Sequence, residues 1–241
     1  DGAVSAMIGV ALQEARDLDI HHLTHDITPY NIFEASYRLF QTIEYWPSGT
    51  TFVSVVDPGV GSKRKSVVAL TETGQYIVTP DNGTLSYIKK HVGIKAVREI
   101  SEVENRRKNT ELSYTFHGRD VYAYTGAKLA SGHISFDEVG PELSVDHIVE
   151  LPVVETKVED GAVMGAIDIL DVRFGSLWTS ITREEFYSLK PEFGQRFEVT
   201  IFNNDMLVYQ NQVTYGKSFA DVRIGQPLIY INSLYRVGLA I

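Results

Sequence analysis

The sequence predicts an α/β N-terminal domain with a helix-covered, mostly parallel sheet, followed by a smaller all-β, barrel-like domain. Two observations support this. Helical and strand-like segments alternate through the first half of the chain, which is typical of a helix-covered parallel sheet. From Gly161 onward, short strand-like runs separated by turns predominate, as in a small barrel or sandwich. We place the boundary between His147 and Asp160, giving domains 1–150 and 151–241.

The predicted elements of the first domain follow from apolar spacing and from turn residues. An amphipathic helix over residues 4–15 is followed by a short strand and turn at 21–26 and a second helix at 32–46. The next segments are a strand at 51–56, a hairpin of strands at 66–71 and 75–79, a short helix at 85–91, a strand at 96–100 and a helix at 121–130.

Composition indicates a large core and no nucleic-acid partner. With 241 residues, 44% of them hydrophobic, the chain can build a large core. The net charge is −9 and no stripe of Lys and Arg is present, so we expect no nucleic-acid partner. The densest basic run, Arg106-Arg107-Lys108, lies in a polar stretch and is predicted to be a solvated loop.

The absence of cysteine removes disulfides, thiolate nucleophiles and thiolate metal ligands together. It fits a reducing compartment, and we expect a cytoplasmic location. No apolar run approaches the roughly 18 to 20 residues of a membrane span, so no membrane partner is expected. The motifs G-x-S-x-G, G-x-G-x-x-G, H-E-x-x-H and the Walker loop are also missing from the sequence.

One turn stands out as a candidate site. Pro58 must stop the strand that precedes it, because it fixes φ and has no N–H to donate. Gly59 and Gly61 permit a tight turn, so Asp57 lies at a strand end and Arg64 comes back within its reach. In open α/β sheets, ligands lie beyond the carboxyl ends of strands. The alternative is an ordinary surface ion pair.

His117 is the second candidate, because it lies between Phe116 and Gly118 at a predicted loop-to-helix junction. A structural cap is the alternative there.

His21 and His25 would share one face only on a helix, whereas their segment is predicted to be extended. We therefore predict no metal site.

Four segments together resemble the S-adenosyl-L-methionine (SAM) hydroxide adenosyltransferase family, whose members are related to fluorinase and chlorinase. The segments are Asp57-Pro58-Gly59-Val60-Gly61 with Arg64, Pro80-Asp81-Asn82-Gly83, Thr115-Phe116-His117-Gly118-Arg119-Asp120, and residues 169–181 with Phe174-Gly175 and Trp178. The resemblance runs from Asp1 to Ile241 in the same order.

The resemblance implies hydrolysis of SAM to adenosine and L-methionine without a metal or cofactor. It implies that Asp57, Arg64 and His117 are catalytic, and that the protein is a homotrimer whose active sites lie between one subunit's first domain and its neighbour's second. The implied substrate-binding residues are Asp1, Tyr30, Phe116, Asp171, Phe174, Ser176, Trp178, Phe219 and Ser233.

The chain also departs from the family pattern. Ser176 and Ser180 stand where asparagine is usual, and Leu234 stands where a cationic partner of the substrate carboxylate can occur. The family's first strand and its Thr-Asp-Phe-Gly-like turn would precede Asp1, so we expect an upstream segment to be missing.

The chemistry needs a positioned nucleophile more than an acid, because a sulfonium departs as a neutral thioether. A water must be held behind the 5′ carbon and relieved of a proton. If Arg64 holds Asp57, that carboxylate orients the water and His117 is predicted to accept the proton.

Two alternatives remain open. One is a halide-dependent adenosyltransferase, although those relatives carry other residues at Asp57 and His117, and fluorinase has serine at Gly118. The other is a non-catalytic adenosine or SAM sensor that uses the same cleft.

Overall fold

A five-stranded sheet, whose central strands are buried on both faces, organises the N-terminal part of the protein. The computed structural model describes residues 2–241. The chain divides into two compact units, Asp1–Leu151 and Pro152–Ile241. Within the described residues, no helix is long and apolar enough to cross a membrane.

The helices and strands of the N-terminal unit match most of the predicted segments. They are α1 (Ala3–Glu14), α2 (Ile32–Ile43), β1 (Thr51–Val53), β2 (Ser66–Thr71), β3 (Tyr76–Pro80), α3 (Ser86–His91), β4 (Ile94–Glu99), α4 (Tyr124–Ala130) and β5 (Glu142–Leu143). A π-helical segment, Gly118–Ala123, leads into α4, and 3-10 turns cover Phe136–Glu138 and Val145–His147.

The predicted strand at residues 21–26 is wrong. In the structure these residues form no strand, and most of their side chains are exposed. A strand is stabilised by pairing and by burying one face, and this segment offers no buried face to a sheet.

The strand directions correct a second prediction. The order is β1-β3-β2-β4-β5, and in residues 2–241 the β1–β3 pair is parallel while the other three pairs are antiparallel. The sheet is therefore mixed, whereas the sequence predicted a mostly parallel one. The turn at residues 72–75 joins β2 to β3 directly, and a parallel connection would need about a dozen residues.

Alternate residues of β2 point into two apolar clusters, one on each face of the sheet. Val67 and Ala69 pack with residues of α2 and α3, including Leu39 and Ile88. On the other face, Val68 packs with side chains from the π-helical segment and α4. The sheet is thus held between helices, and its strand ends are fixed in position.

The C-terminal unit is built mainly from strands. They are β6 (Lys157–Glu159), β7 (Ala162–Met164), β8 (Ile167–Asp171), β9 (Ser176–Thr182), β10 (Arg196–Asn203), β11 (Met206–Tyr215), β12 (Leu228–Ile231) and β13 (Arg236–Ala240), with helix α5 (Arg183–Tyr187) and a 3-10 turn at Phe219–Asp221.

Six of these strands form one sheet in the order β10-β11-β12-β13-β9-β8, and β6 pairs with β7. The pairs are antiparallel except for the parallel β11–β12 pair. Within residues 2–241, β10 and β8 remain the two edges, so the predicted barrel is a half-barrel that does not close. One apolar cluster of this unit includes Phe186, Val213 and Leu239.

Candidate active site

The turn after β1 brings Asp57 and Arg64 together. Hydrogen bonds from Val60 N–H to the Asp57 carbonyl and from Ser62 N–H to the Gly59 carbonyl close this turn. Gly61 adopts φ 77°, and a Cβ there would lie 3.1 Å from a backbone oxygen, so glycine is required. Strand β1 ends at Val53, earlier than predicted, and Asp57 lies in the loop beyond it.

Arg64 binds Asp57 with two hydrogen bonds, 2.8 Å from Nε to Oδ1 and 2.5 Å from Nη2 to Oδ2. The side chains are only 10% and 5% exposed, respectively, so the contact is not an ordinary surface ion pair. Paired geometry of this kind fixes the orientation of both groups. Arg64 Nη1 also donates to Ser66 Oγ at 2.9 Å, which anchors the guanidinium to β2.

His117 joins this network from another part of the sequence. It precedes the π-helical segment, is 4% exposed, and places Nδ1 2.9 Å from Arg64 Nη2. A guanidinium has donors and no acceptor, so Nδ1 must accept this bond and the neutral ring carries its proton on Nε2. Single π-helical turns are frequent at functional sites.

Arg106 was missed by the sequence analysis. The prediction of a solvated loop is wrong at this residue, which is 7% exposed and places Nη1 3.4 Å from His117 Nε2. Arg106 also pairs with Glu102 at 2.8 Å and lies 4.5 Å from the centre of the Tyr114 ring. The available signal was the spacing of Glu102 and Arg106, four residues apart, which favours an ion pair.

Burial lowers the pKa of His117 below its ordinary value. The nearby Glu102 and Asp57 carboxylates oppose this shift, whereas the Arg64 and Arg106 guanidinium groups add to it. The imidazole is therefore neutral over most of the physiological pH range. Burial also raises the pKa of Tyr122, whose hydroxyl lies 3.1 Å from Ser66 Oγ.

A cleft of about 400 Å³ lies beside Asp57. Its lining residues are Val4, Thr24, His25, Ile27, Thr28, Pro29, Tyr30, Val55, Val56 and Asp57. The structure thus brings together Tyr30 and Asp57, two of the predicted site residues. Tyr30 is 78% exposed and has φ 68°, a conformation uncommon outside glycine.

Phe116, His117 and Arg64 are not among the residues that line this cleft. Phe116 is half-buried, and the Arg119 guanidinium lies 4.9 Å from the centre of its ring. A larger cleft of about 600 Å³ is lined by His21, Trp46 and His133, among others. It contains none of the predicted catalytic residues, so we assign the site to the smaller cleft.

The predicted residues of the C-terminal unit lie at strand ends and in loops. Asp171 and Ser176 face each other across the β8–β9 pair, and Phe174, 79% exposed, lies in the turn between them. Ser176 is buried, and its hydroxyl has no hydrogen-bond partner in the described part of the chain. Trp178 is half-buried in β9.

The last two predicted residues lie outside the β8–β9 turn. Phe219 is exposed and lies 4.8 Å from the ring of Tyr230, and Ser233 is exposed just after β12. Asp1, predicted to face the substrate, lies outside the described residues. For residues 2–241, no group of three or more His, Cys, Asp or Glu side chains is placed to hold a metal ion.

A charged, buried network beside a cleft is a candidate enzyme active site. Residues 1–140 match the family model for the SAM hydroxide adenosyltransferase N-terminal domain, and residues 165–241 match the model for the C-terminal domain. The chain therefore belongs to the SAM hydroxide adenosyltransferase family.

Similar proteins include two named (R)-S-adenosyl-L-methionine hydrolase. The protein from Methanocaldococcus jannaschii is 37% identical over 189 residues, which span 77% of this chain but only 64% of that protein. The protein from Thermus thermophilus is 30% identical over 97% of this chain and 84% of its own length. A fluorinase from Actinopolyspora mzabensis is 25% identical over 100% of this chain and 86% of its own length.

The fold is similar to that of a solved structure. An uncharacterized conserved protein from Thermotoga maritima superposes with a TM-score of 0.91 and is 30% identical. The match covers 100% of this chain and 88% of that protein.

Proposed function

We propose that this protein hydrolyses SAM to adenosine and L-methionine, by in-line attack of water on the 5′ carbon. The observation that carries the proposal is the buried contact among Asp57, Arg64 and His117 beside a cleft. The names of the hydrolase relatives support the substrate class. The reaction as proposed requires no metal or cofactor, because the sulfonium leaves as a neutral thioether and needs no acid.

Asp57 is the proposed proton acceptor, because it lines the cleft. Both carboxylate oxygens accept hydrogen bonds from Arg64, and each retains a lone pair for water. As the new C–O bond forms, the attacking oxygen becomes a strongly acidic oxonium, so even a weakly basic carboxylate can take its proton. The C5′–S bond breaks in the same step, and its electron pair remains on sulfur.

His117 is better suited to orient Arg64 than to accept the proton. This assignment differs from the one favoured on sequence grounds, because Nδ1 is already occupied by Arg64. A protonated ring would also face a second guanidinium at Nε2. His117 therefore acts through Arg64, and Arg64 fixes the carboxylate that meets the water. Positioning of this kind contributes up to about 7 to 11 kcal/mol in ideal cases.

Substrate recognition is proposed to use aromatic side chains from both units. Tyr30 lines the cleft, and Phe174 and Phe219 offer exposed, flat apolar faces to an adenine or a ribose. Asp171 is proposed to bind the methionine amine, and Ser233 its carboxylate. The proposal includes a homotrimer, in which Phe174 and Phe219 of one subunit cover the cleft of a neighbour.

A chromatographic assay for adenosine and L-methionine tests the proposal. The hydrolase relatives are named for the (R) form of the substrate, so the two sulfonium epimers are supplied separately. We expect equal amounts of adenosine and L-methionine from at least one epimer. Binding of SAM without turnover by the intact protein would indicate a sensor and would contradict the proposal.

A halide-dependent adenosyltransferase is the second candidate, favoured by the match to a fluorinase over 100% of this chain and 86% of that protein. The same assay, repeated with added chloride or fluoride, separates the two activities. The hydrolase proposal predicts adenosine at every halide concentration. A 5′-halo-nucleoside that replaces adenosine as halide increases would favour the second candidate.

A further inference from the structure

Arg106 is held by more contacts than a solvated loop residue requires. Its Nε donates to Thr110 Oγ1 at 3.1 Å, and its Nη2 donates to the carbonyls of Thr110 and Ser113 at 3.2 Å and 2.7 Å. Its Nη1 donates to Glu102 at 2.8 Å. Every nitrogen of the guanidinium therefore has a partner within residues 102–113, so this loop fixes its position without help from His117.

Arg64 and Arg106 face the two ring nitrogens of His117. Arg64 Nη2 is 2.9 Å from Nδ1, and Arg106 Nη1 is 3.4 Å from Nε2. An imidazolium would present an N–H to each guanidinium, and neither could accept it. The neutral ring accepts at one nitrogen only, and the shorter contact, to Arg64, places that acceptor at Nδ1. The Nε2–H then meets Arg106 without a hydrogen bond, so the contact is steric and electrostatic.

The charges around the ring balance only when His117 is neutral. Glu102 and Asp57 carry one negative charge each, and Arg106 and Arg64 carry one positive charge each. The rings of Tyr114 and Tyr122 also face the imidazole, with centroids 6.1 Å and 6.5 Å away. Tyr122 is uncharged, because burial keeps its pKa above the ordinary value.

We propose that Arg106 is a positioning residue, whose guanidinium beside Nε2 disfavours the charged form of His117, so that Nδ1 stays available to accept from Arg64 and the Arg64 guanidinium stays oriented on Asp57. This inference rests on the proposed hydrolase function for its effect on turnover. The effect on His117 itself requires no substrate. The loop at residues 101–113 thus contributes to the proposed site through Arg106.

The test compares Arg106→Gln with Lys108→Gln, which removes the same charge from an exposed residue of the same loop. The His117 ring resonance, assigned by its loss in His117→Gln, is followed by NMR as pH is varied. We expect the pKa of His117 to rise in Arg106→Gln and to stay unchanged in Lys108→Gln. Arg106→Lys keeps the charge and should restore most of the parent titration.

Glu102→Gln should shift the pKa of His117 in the opposite direction. It also provides an independent variant if Arg106→Gln fails to fold. Its carboxylate favours the charged ring, so its removal should lower the pKa of His117 further. An unchanged His117 titration in both Arg106→Gln and Glu102→Gln would overturn the inference, as would equal shifts in Lys108→Gln.

The pH dependence of turnover is the second readout. In Arg106→Gln, kcat/KM should fall by about tenfold on the acidic side of the profile, where His117 becomes charged, and approach the parent value at alkaline pH. A uniform loss at every pH would indicate a merely structural role. If the parent protein shows no hydrolase activity, the proposed function fails, whereas the NMR titration still decides the role of Arg106.

Discussion

The candidate residues of the two units differ in how they are supported. In the N-terminal unit, Asp57, Arg64 and His117 are buried and are joined by hydrogen bonds of 2.5 to 2.9 Å. In the C-terminal unit, Phe174 and Phe219 are 79% and 60% exposed. The first set is organised before any ligand binds. The second set offers exposed apolar surface, which the proposed function assigns to substrate binding.

This difference suggests a division of roles. Groups that stabilise a transition state are effective when they are already in place, because no energy is spent on reorganising them during the reaction. Groups that bind a substrate equally well before and during the reaction lower KM and leave kcat unchanged. We therefore expect changes in the N-terminal set to lower kcat, and changes in the C-terminal set to raise KM.

The largest expected effect is that of Asp57→Asn. It removes the charge that Arg64 holds and the proposed proton acceptor, so kcat should fall by about 10² to 10⁴-fold. The matched control is Asp137→Asn, which breaks an ion pair to Arg98 at a carboxylate that is 82% exposed. Steady-state kinetics should show parent turnover in the control. Parent turnover in Asp57→Asn would remove this residue from the mechanism.

Arg64→Lys should be nearly as severe, because a lysine cannot make the paired contact to Asp57 and reach Ser66 and His117 at the same time. We expect kcat to fall by about a hundredfold. Arg183→Lys is the control, since Arg183 makes a similar two-nitrogen contact to Glu184 on the surface. A rise in KM at constant kcat in Arg64→Lys would assign Arg64 to substrate binding.

Phe219→Ala tests the other half of the comparison. Stacking of an aromatic side chain on a base is worth about 1 to 3 kcal/mol, so KM should rise by about tenfold or more while kcat stays within about twofold. Phe202→Ala removes an equally exposed aromatic side chain from the β10–β11 hairpin and should change neither constant. A loss of kcat in Phe219→Ala would break the proposed division of roles.

The smallest effect concerns Asp81, a buried carboxylate of the N-terminal unit for which residues 2–241 provide no guanidinium partner. Burial raises the pKa of Asp81. The Val149 N–H donates a hydrogen bond to Asp81 Oδ1 at 3.0 Å, and this bond opposes the shift. Its contribution to stability is therefore present at acidic pH and is lost as pH rises through the folded-state pKa. Asp81→Asn keeps the acceptor and removes this dependence.

Thermal unfolding of the Asp81→Asn protein should show a modest gain in Tm at neutral pH. The gain should shrink as pH falls toward the ordinary pKa of 3.8. A gain that is constant with pH would mean that the Asp81 charge does not limit stability.

The sequence predicted those parts of the site that follow from local geometry. Pro58 and the glycines after it require a turn, and a turn of that length returns Arg64 to Asp57. The burial of Arg106 could not be predicted in this way, because three adjacent basic residues in a polar stretch look the same whether solvated or packed. Its burial depends on Tyr114, Thr110 and the ring of His117, which meet only in the folded chain.

The elements of the fold were predicted better than their directions. The spacing of apolar residues predicted α1, and the Thr73-Gly74 turn predicted the hairpin of β2 and β3. Alternation of helices and strands, however, favoured parallel pairing, and the short β2–β3 turn makes this pairing impossible. In the C-terminal unit, strand spacing indicated a barrel, but closure depends on contacts between the edge strands β10 and β8 that spacing does not encode.

A single turnover in water enriched in ¹⁸O tests most directly whether the buried network delivers water to the 5′ carbon. Enzyme in excess over SAM should place one ¹⁸O atom in the 5′-hydroxyl of adenosine and none in L-methionine, and Asp57→Asn should slow formation of the labelled product at least a hundredfold. Adenosine without the label, or labelled adenosine formed at the parent rate by Asp57→Asn, would contradict this mechanism.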